Sequence, residues 1–156
     1  FMVAVPFFCP DVPALKKNPV FLYSSDRFKK PYAFNADIAI DVGPVFEKKV
    51  DALMALESQT FEGGALGSAE RMAQAPPASK PALRRKWLRE RWDRRQGTEA
   101  NKHRTALRRW YGKEAASMIQ YAEAFEICEY GAQPSADRIR KLFPFLPQNN
   151  KNERSE

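Results

Sequence analysis

The sequence predicts an α/β fold, and three observations carry that reading. A β-branched and aromatic run at 20–24 lies between a proline and a turn signal. An alternating run at 37–42 leads through a glycine into an amphipathic helix, and apolar residues recur at helical spacing beyond residue 80. With 156 residues, 44% of them apolar and 29% charged, the chain has the size and balance of one globular domain with a sizeable core.

Each element has a local reason. Val20 to Ser24 follows Pro19 and runs into the Ser25–Asp26 turn signal, as a strand does. Lys29, Lys30 and Pro31 belong to a loop. Asp37 to Val42 is a second strand, with Ile38, Ile40 and Val42 on one face and Ala39 and Asp41 on the other. Gly43 permits a sharp turn. Pro44 suits the first helical position, where its missing N–H would be unbonded anyway. The helix is predicted from about Pro44 to Leu56, because Phe46, Val50, Leu53 and Met54 form one apolar stripe while Lys48, Lys49 and Asp51 stay wet.

Thr60 to Gly67 contains Gly63, Gly64 and Gly67 and reads as a loop, without the Gly-Lys-Ser/Thr ending of a phosphate-binding loop. Ala75 to Pro81 is a second break. Leu83, Trp87, Leu88 and Trp92 then mark a helix expected to end at Gly97. Thr98 is expected to cap another helix, bearing His103, Leu107, Trp110 and Tyr111. Glu114 to Gln120 reads as helical, and Ala124 to Tyr130 as short extended or irregular structure ending at Gly131. Ser135 caps a last helix through about Leu142, with Ile139 and Leu142 inward. The polar tail, 148–156, is expected to be disordered.

Charge is concentrated. The net charge is +7, yet Lys80 to Lys113 alone holds 13 Lys/Arg against three acids, and the rest of the chain is slightly acidic. All three tryptophans lie in that basic stretch. No apolar run is long enough to span a bilayer. Phe1 to Cys9 is cut by Pro6 and lacks a basic flank, so it does not read as a signal peptide. Cys9 and Cys128 follow no metal or redox spacing and read as reduced thiols, which makes a cytoplasmic location the default expectation.

Three stretches resemble the PIG-L/LmbE-like N-deacetylase family. The first is Asp37-Ile-Ala-Ile-Asp41-Val, then Phe46-Glu-Lys-Lys49, then Ala52 through Ser58-Gln59. That matches the family's aspartate-bearing strand, lysine-bearing helix and Ser-Gln pair. The second is Tyr121-Ala-Glu-Ala-Phe125, close to a Tyr-Ala-Glu-x-Phe segment, and the third is the ending Leu142-Phe-Pro-Phe145. The likeness covers residues 20–59 and 113–146, with the basic segment, about 68–112, as a helical insertion between them.

The resemblance implies that residues 1–147 are the C-terminal part of a Rossmann-like, LmbE-type sheet. It also implies hydrolysis of the acetamide of an N-acetylated sugar or glycoconjugate. Zinc is expected in the intact parent protein, on a His-Pro-Asp-Asp loop and a further histidine. This chain has neither that loop nor any histidine besides His103, so alone it is expected to hold no metal and to be inactive. Ser58, Gln59, Tyr121 and Glu123 match motif positions, and the resemblance implies that they shape the substrate cleft. Many members carry a histidine and a basic residue just before Ser-Gln, where this chain has Leu56 and Glu57.

Plainer readings stand beside these. Ser58-Gln59 also reads as a polar helix end, since a catalytic serine needs a base and none is near in sequence. Glu123 and Glu126, three apart, need not face each other as paired carboxylates. His103 reads as a packed or surface histidine, because a zinc site needs at least three protein ligands. The basic Trp-rich segment is foremost a packed, solvated helical face. The alternative is a non-enzymatic binding module that uses this segment for an anionic partner, and nucleic acid is the weaker form of that alternative. A half-domain also leads to the expectation that the strands near 20–24 and 37–42 lack partners, and that the chain self-associates.

Overall fold

The computed structural model describes residues 10–27, 29–63 and 68–148. Phe1 to Cys9, and all of the tail expected to be disordered except Gln148, lie outside them. The described residues form a mixed α/β structure of seven helices around a small three-strand antiparallel sheet. The strands are β1 (Leu22–Ser24), β2 (Ile38–Asp41) and β3 (Ala122–Ile127), in the order β1-β3-β2. The helices are α1 (Phe46–Ala55), α2 (Glu57–Thr60), α3 (Ala69–Met72), α4 (Pro81–Lys102), α5 (Arg104–Tyr111), α6 (Lys113–Met118) and α7 (Ala136–Leu142).

The last strand in sequence is the centre of the sheet. Leu22 pairs with Ile127 on one side of β3, and Ile38 pairs with Phe125 on the other. Sequence reasoning expected only short extended or irregular structure from Ala124. The segment is poor in β-branched residues, and what makes it a strand is pairing on both edges, a tertiary effect. The expectation that the first two strands lack partners is corrected here, since both find β3 within this chain.

Both faces of β2 are covered. Ala39 faces a layer of small side chains, with Ala100, Ala106, Leu107 and Ala116 from α4, α5 and α6. Ile38, Ile40 and Val42 pack with Trp110, Ile139 and Leu146 on the other side. Helix α5 also supplies polar partners to β2, which among the described residues has a strand neighbour on one side only. Trp110 Nε1 donates to the Asp37 carbonyl at 2.8 Å, and the Tyr111 hydroxyl accepts from the Asp41 N–H at 3.0 Å. The Asp37 carboxylate accepts from the Ile127 N–H at 2.8 Å, tying the start of β2 to the end of β3.

The basic segment folds differently from expectation. Helix α4 does not stop at Gly97 but continues to Lys102. Glycine costs a helix interior about 1 kcal/mol, but Gln96 and Ala100 on either side of it are buried, and the backbone at Gly97 lies against the Gln120 carbonyl. Thr98 caps nothing; its hydroxyl donates back to the Arg94 carbonyl at 2.8 Å inside the helix. His103 is the break between α4 and α5, buried against Phe34. Arg104 then closes the C-terminal end of α6 by donating to the Ala116 and Ile119 carbonyls at 2.5 and 2.9 Å. Ser135 caps α7 as expected, accepting from the Arg138 N–H at 3.3 Å, whereas Leu142 is exposed rather than inward. Thr60, expected in a loop, ends α2 and is buried, its hydroxyl bonded to the Leu53 carbonyl.

Candidate binding cleft

Helix α4 organises the site by presenting three different faces. Its first face meets α1. Arg84 pairs with Glu57 at 2.7 Å, Arg85 with Glu47 and Asp51 at 2.9 and 2.8 Å, and Arg89 with Glu47 at 2.7 Å. The Glu47 carboxyl is held below its usual range by the Arg89 and Arg85 guanidiniums. Basic residues that looked like a run of free charge are here an ion-pair seam.

The second face is apolar. Leu88 and Trp92 are buried with Phe46, Val50 and Phe61, and half-buried Trp87 packs at the margin. Tyr121 stacks on Phe46 at 4.3 Å between centroids, and its hydroxyl donates to Asp93. That bond is the main reason the phenol titrates above its ordinary range. At the end of this face the Lys49 ammonium, on α1, pairs with the Glu123 carboxylate on β3 and lies 4.8 Å from the centre of the Trp92 ring. Gln96 completes the group: with its amide turned to donate to the Ala122 carbonyl at 2.5 Å, its oxygen accepts from Lys49 Nζ at 2.9 Å. These residues line a cavity of about 210 Å³, which reaches Ser25 and Glu99. Ser25 donates to the Glu99 carboxylate at 2.5 Å.

The third face opens on a larger cleft of about 860 Å³ between α4, α3 and the loop after β1. Arg91, Arg94 and Arg95 enter it from α4, Arg71 from α3, and Arg27 from the loop. Asp26 and Glu90 are its only acids among the described residues, so the lining carries a net charge of about +3. Burial, together with the nearby Arg71 and Arg94 charges, lowers the pKa of the Arg91 guanidinium. Ser25, Trp92 and Arg95 border both cavities, so cleft and pocket adjoin.

The four residues singled out by the resemblance do not share one wall. Glu123 lines the smaller cavity, and Tyr121 sits beside it through Phe46 and Asp93. Ser58 and Gln59 are exposed on α2, next to Glu57, which is tied to Arg84. Arg84 and Gln96 lie about 18 Å apart along α4 at 1.5 Å per residue, so the Ser-Gln pair belongs to the far end of the seam. Lys49 and Gln96, which complete the pocket, were not among those four. Lys49 stood in a motif as a wet helical residue, but nothing in the sequence marked Gln96. Glu126 is turned away from Glu123, accepting from the Asn35 N–H at 3.2 Å, so the two are not an acid–base pair.

His103 Nε2 lies 3.3 Å from the Glu99 carboxylate but is not aligned for a regular hydrogen bond, and burial depresses its pKa. Among the described residues no three His, Cys, Asp or Glu side chains converge. The resemblance places the zinc ligands on a His-Pro-Asp-Asp loop and a further histidine that this sequence does not contain. Cys128 is a buried free thiol donating to the Tyr23 hydroxyl at 3.1 Å, and Cys9 lies outside the described residues. Among the described residues no helix is long and apolar enough to cross a membrane. Comparison with protein-family models, curated proteins and solved structures finds no match.

Proposed function

We propose that this chain is the C-terminal portion of a PIG-L/LmbE-like N-deacetylase. The intact protein would hydrolyse the acetamide of an N-acetylated sugar or glycoconjugate, using zinc held by a segment outside this sequence. The observation that supports the reading is convergence. The lysine of the helix motif and the glutamate of the Tyr-Ala-Glu-x-Phe motif are 74 positions apart, yet they pair in one pocket. The strand motif at 37–42 is the direct neighbour of the second motif, and the Phe143 ring, from the third, lies tilted against Phe125 at 6.3 Å between centroids. Three stretches that resemble one family in sequence thus form one contiguous body.

In this reading Glu123 and Lys49 offer hydrogen-bonding groups to sugar hydroxyls at the pocket edge, and Tyr121 fixes that edge. Ser58 and Gln59 belong to a more distant wall. The outer edge of β1, with Phe21 and Tyr23 exposed, is where the remaining strands of a Rossmann-like sheet would join. The test is to express the complete reading frame that contains this chain, then measure bound zinc and acetate released from N-acetylglucosamine conjugates. Metal-dependent acetate release supports the reading; a purified, folded protein with neither overturns it.

A further inference from the structure

The deacetylase reading leaves the arginine cleft without a role. On the first face of α4, Arg84, Arg85 and Arg89 are matched by acids of α1 and α2. On the cleft face the balance is different: among the described residues no carboxylate lies within ion-pair distance of Arg71 or Arg94. The Arg95 guanidinium rests 4.8 Å from the centre of the Trp92 ring instead. A fold that gathers like charges from α3, α4 and a loop into one concavity stores repulsion that a bound anion relieves.

We propose that this cleft binds a compact polyanion carrying at least two phosphate groups, held by Arg71, Arg94 and Arg95. The size fits, because 860 Å³ lies in the range of about 300–1,000 Å³ usual for small-molecule sites. The chemistry fits as well, since a guanidinium fork matches phosphate oxygens two at a time. Each phosphomonoester carries roughly −1.5 to −2 at neutral pH, so two of them offset the net charge of the lining. A strand of nucleic acid fits less well. The Trp87 ring is already covered by Arg91 at 4.4 Å and Trp92 is buried, so neither tryptophan of the cleft among the described residues offers an open face for base stacking.

The proposal does not depend on the deacetylase reading, and its test needs no catalysis. Isothermal titration of this chain with pyrophosphate is compared with titration by citrate and by a single-stranded oligonucleotide of about 12 nucleotides. The variants are Arg71→Gln/Arg94→Gln, both exposed positions, and Arg108→Gln, which removes an exposed cation elsewhere. Saturable pyrophosphate binding, weakened about tenfold or more in the double variant and unchanged in Arg108→Gln, is the expected result. Three outcomes would overturn the proposal: no pyrophosphate binding at millimolar concentration, an equal loss in Arg108→Gln, or tighter binding of citrate or of the oligonucleotide.

Discussion

Lys49 on α1 and Glu123 on β3 form an ion pair that joins the helical layer to the central strand, with Gln96 of α4 as the third member. The pair is part-buried, so its worth lies between that of a surface salt bridge and that of a buried one. Lys49→Met and Glu123→Gln are each expected to cost about 1–2 kcal/mol. The double variant should cost clearly less than the two together, because the second change removes a charge already without its partner. Urea melts of the four proteins check this, and strict additivity would contradict the coupling.

The two cleft tryptophans should differ in effect. Trp92 is buried in the α1–α4 core, so Trp92→Ala should cost about 3–5 kcal/mol. Trp87 is only half-buried, and its truncation should cost distinctly less. Reversing Arg94 should change stability by about a few tenths of a kcal/mol, whereas Arg85→Glu sets a carboxylate against Glu47 and Asp51 and should lower the melting midpoint. Thermal melts of the four variants give the comparison.

His103 supplies a pH dependence of known sign. Burial opposes its protonation, Lys102 works the same way, and the Glu99 carboxylate pulls in the other direction without prevailing. The folded pKa therefore lies below the ordinary value of about 6.5. In the window below that value the unfolded chain takes up a proton that the folded chain does not, so stability falls as pH drops. It is fully present above about pH 6.5 and is lost towards the folded pKa. His103 is the only histidine, so His103→Gln should flatten the stability profile between about pH 7 and pH 5.5. Denaturant melts across that range measure it, and an unchanged slope in the variant would contradict the assignment.

Gly131 marks a close approach of two segments. A Cβ there would meet the Phe21 nitrogen and the Pro19 oxygen at 2.9 Å, both of them backbone atoms that cannot swing aside. The Ala132 N–H donates to that same Pro19 carbonyl. Gly131→Ala should therefore cost about 1–3 kcal/mol, read from a chemical melt, and should weaken hydrogen-exchange protection in the β1–β3 ladder.

Elements with local signals could be read from the sequence. Alternation at 37–42, the Gly43–Pro44 turn and the stripe from Phe46 to Met54 reveal β2 and α1 because each depends on neighbours in sequence. The central strand could not be read this way, because alanines at 122 and 124 have little strand preference and the two flanking strands come from elsewhere. The helix end that the sequence predicts at Gly97 does not form, for a related reason. Propensity argues for a stop, but burial of Gln96 and Ala100 against the sheet outweighs it. The site divided similarly. Motif positions pointed to Tyr121 and Glu123, while Gln96 sits in a basic helix where nothing distinguishes it until α4 is laid across β3. The charge excess at 80–113 was legible as a quantity, but its division into an ion-pair seam and an open cleft depends on where α1 and α3 come to rest.

The most direct test of the functional account is made on the protein expressed from the complete reading frame containing this chain. Acetate release from an N-acetylglucosamine conjugate is measured with zinc present, after chelation, and in the Glu123→Gln variant. The account predicts about one zinc per chain, as a single catalytic site requires, with hydrolysis lost on chelation and restored by zinc. It also predicts a raised KM in Glu123→Gln, because in the proposed reading that residue meets the sugar rather than the metal. A folded, zinc-free protein that releases no acetate from any such conjugate would contradict it.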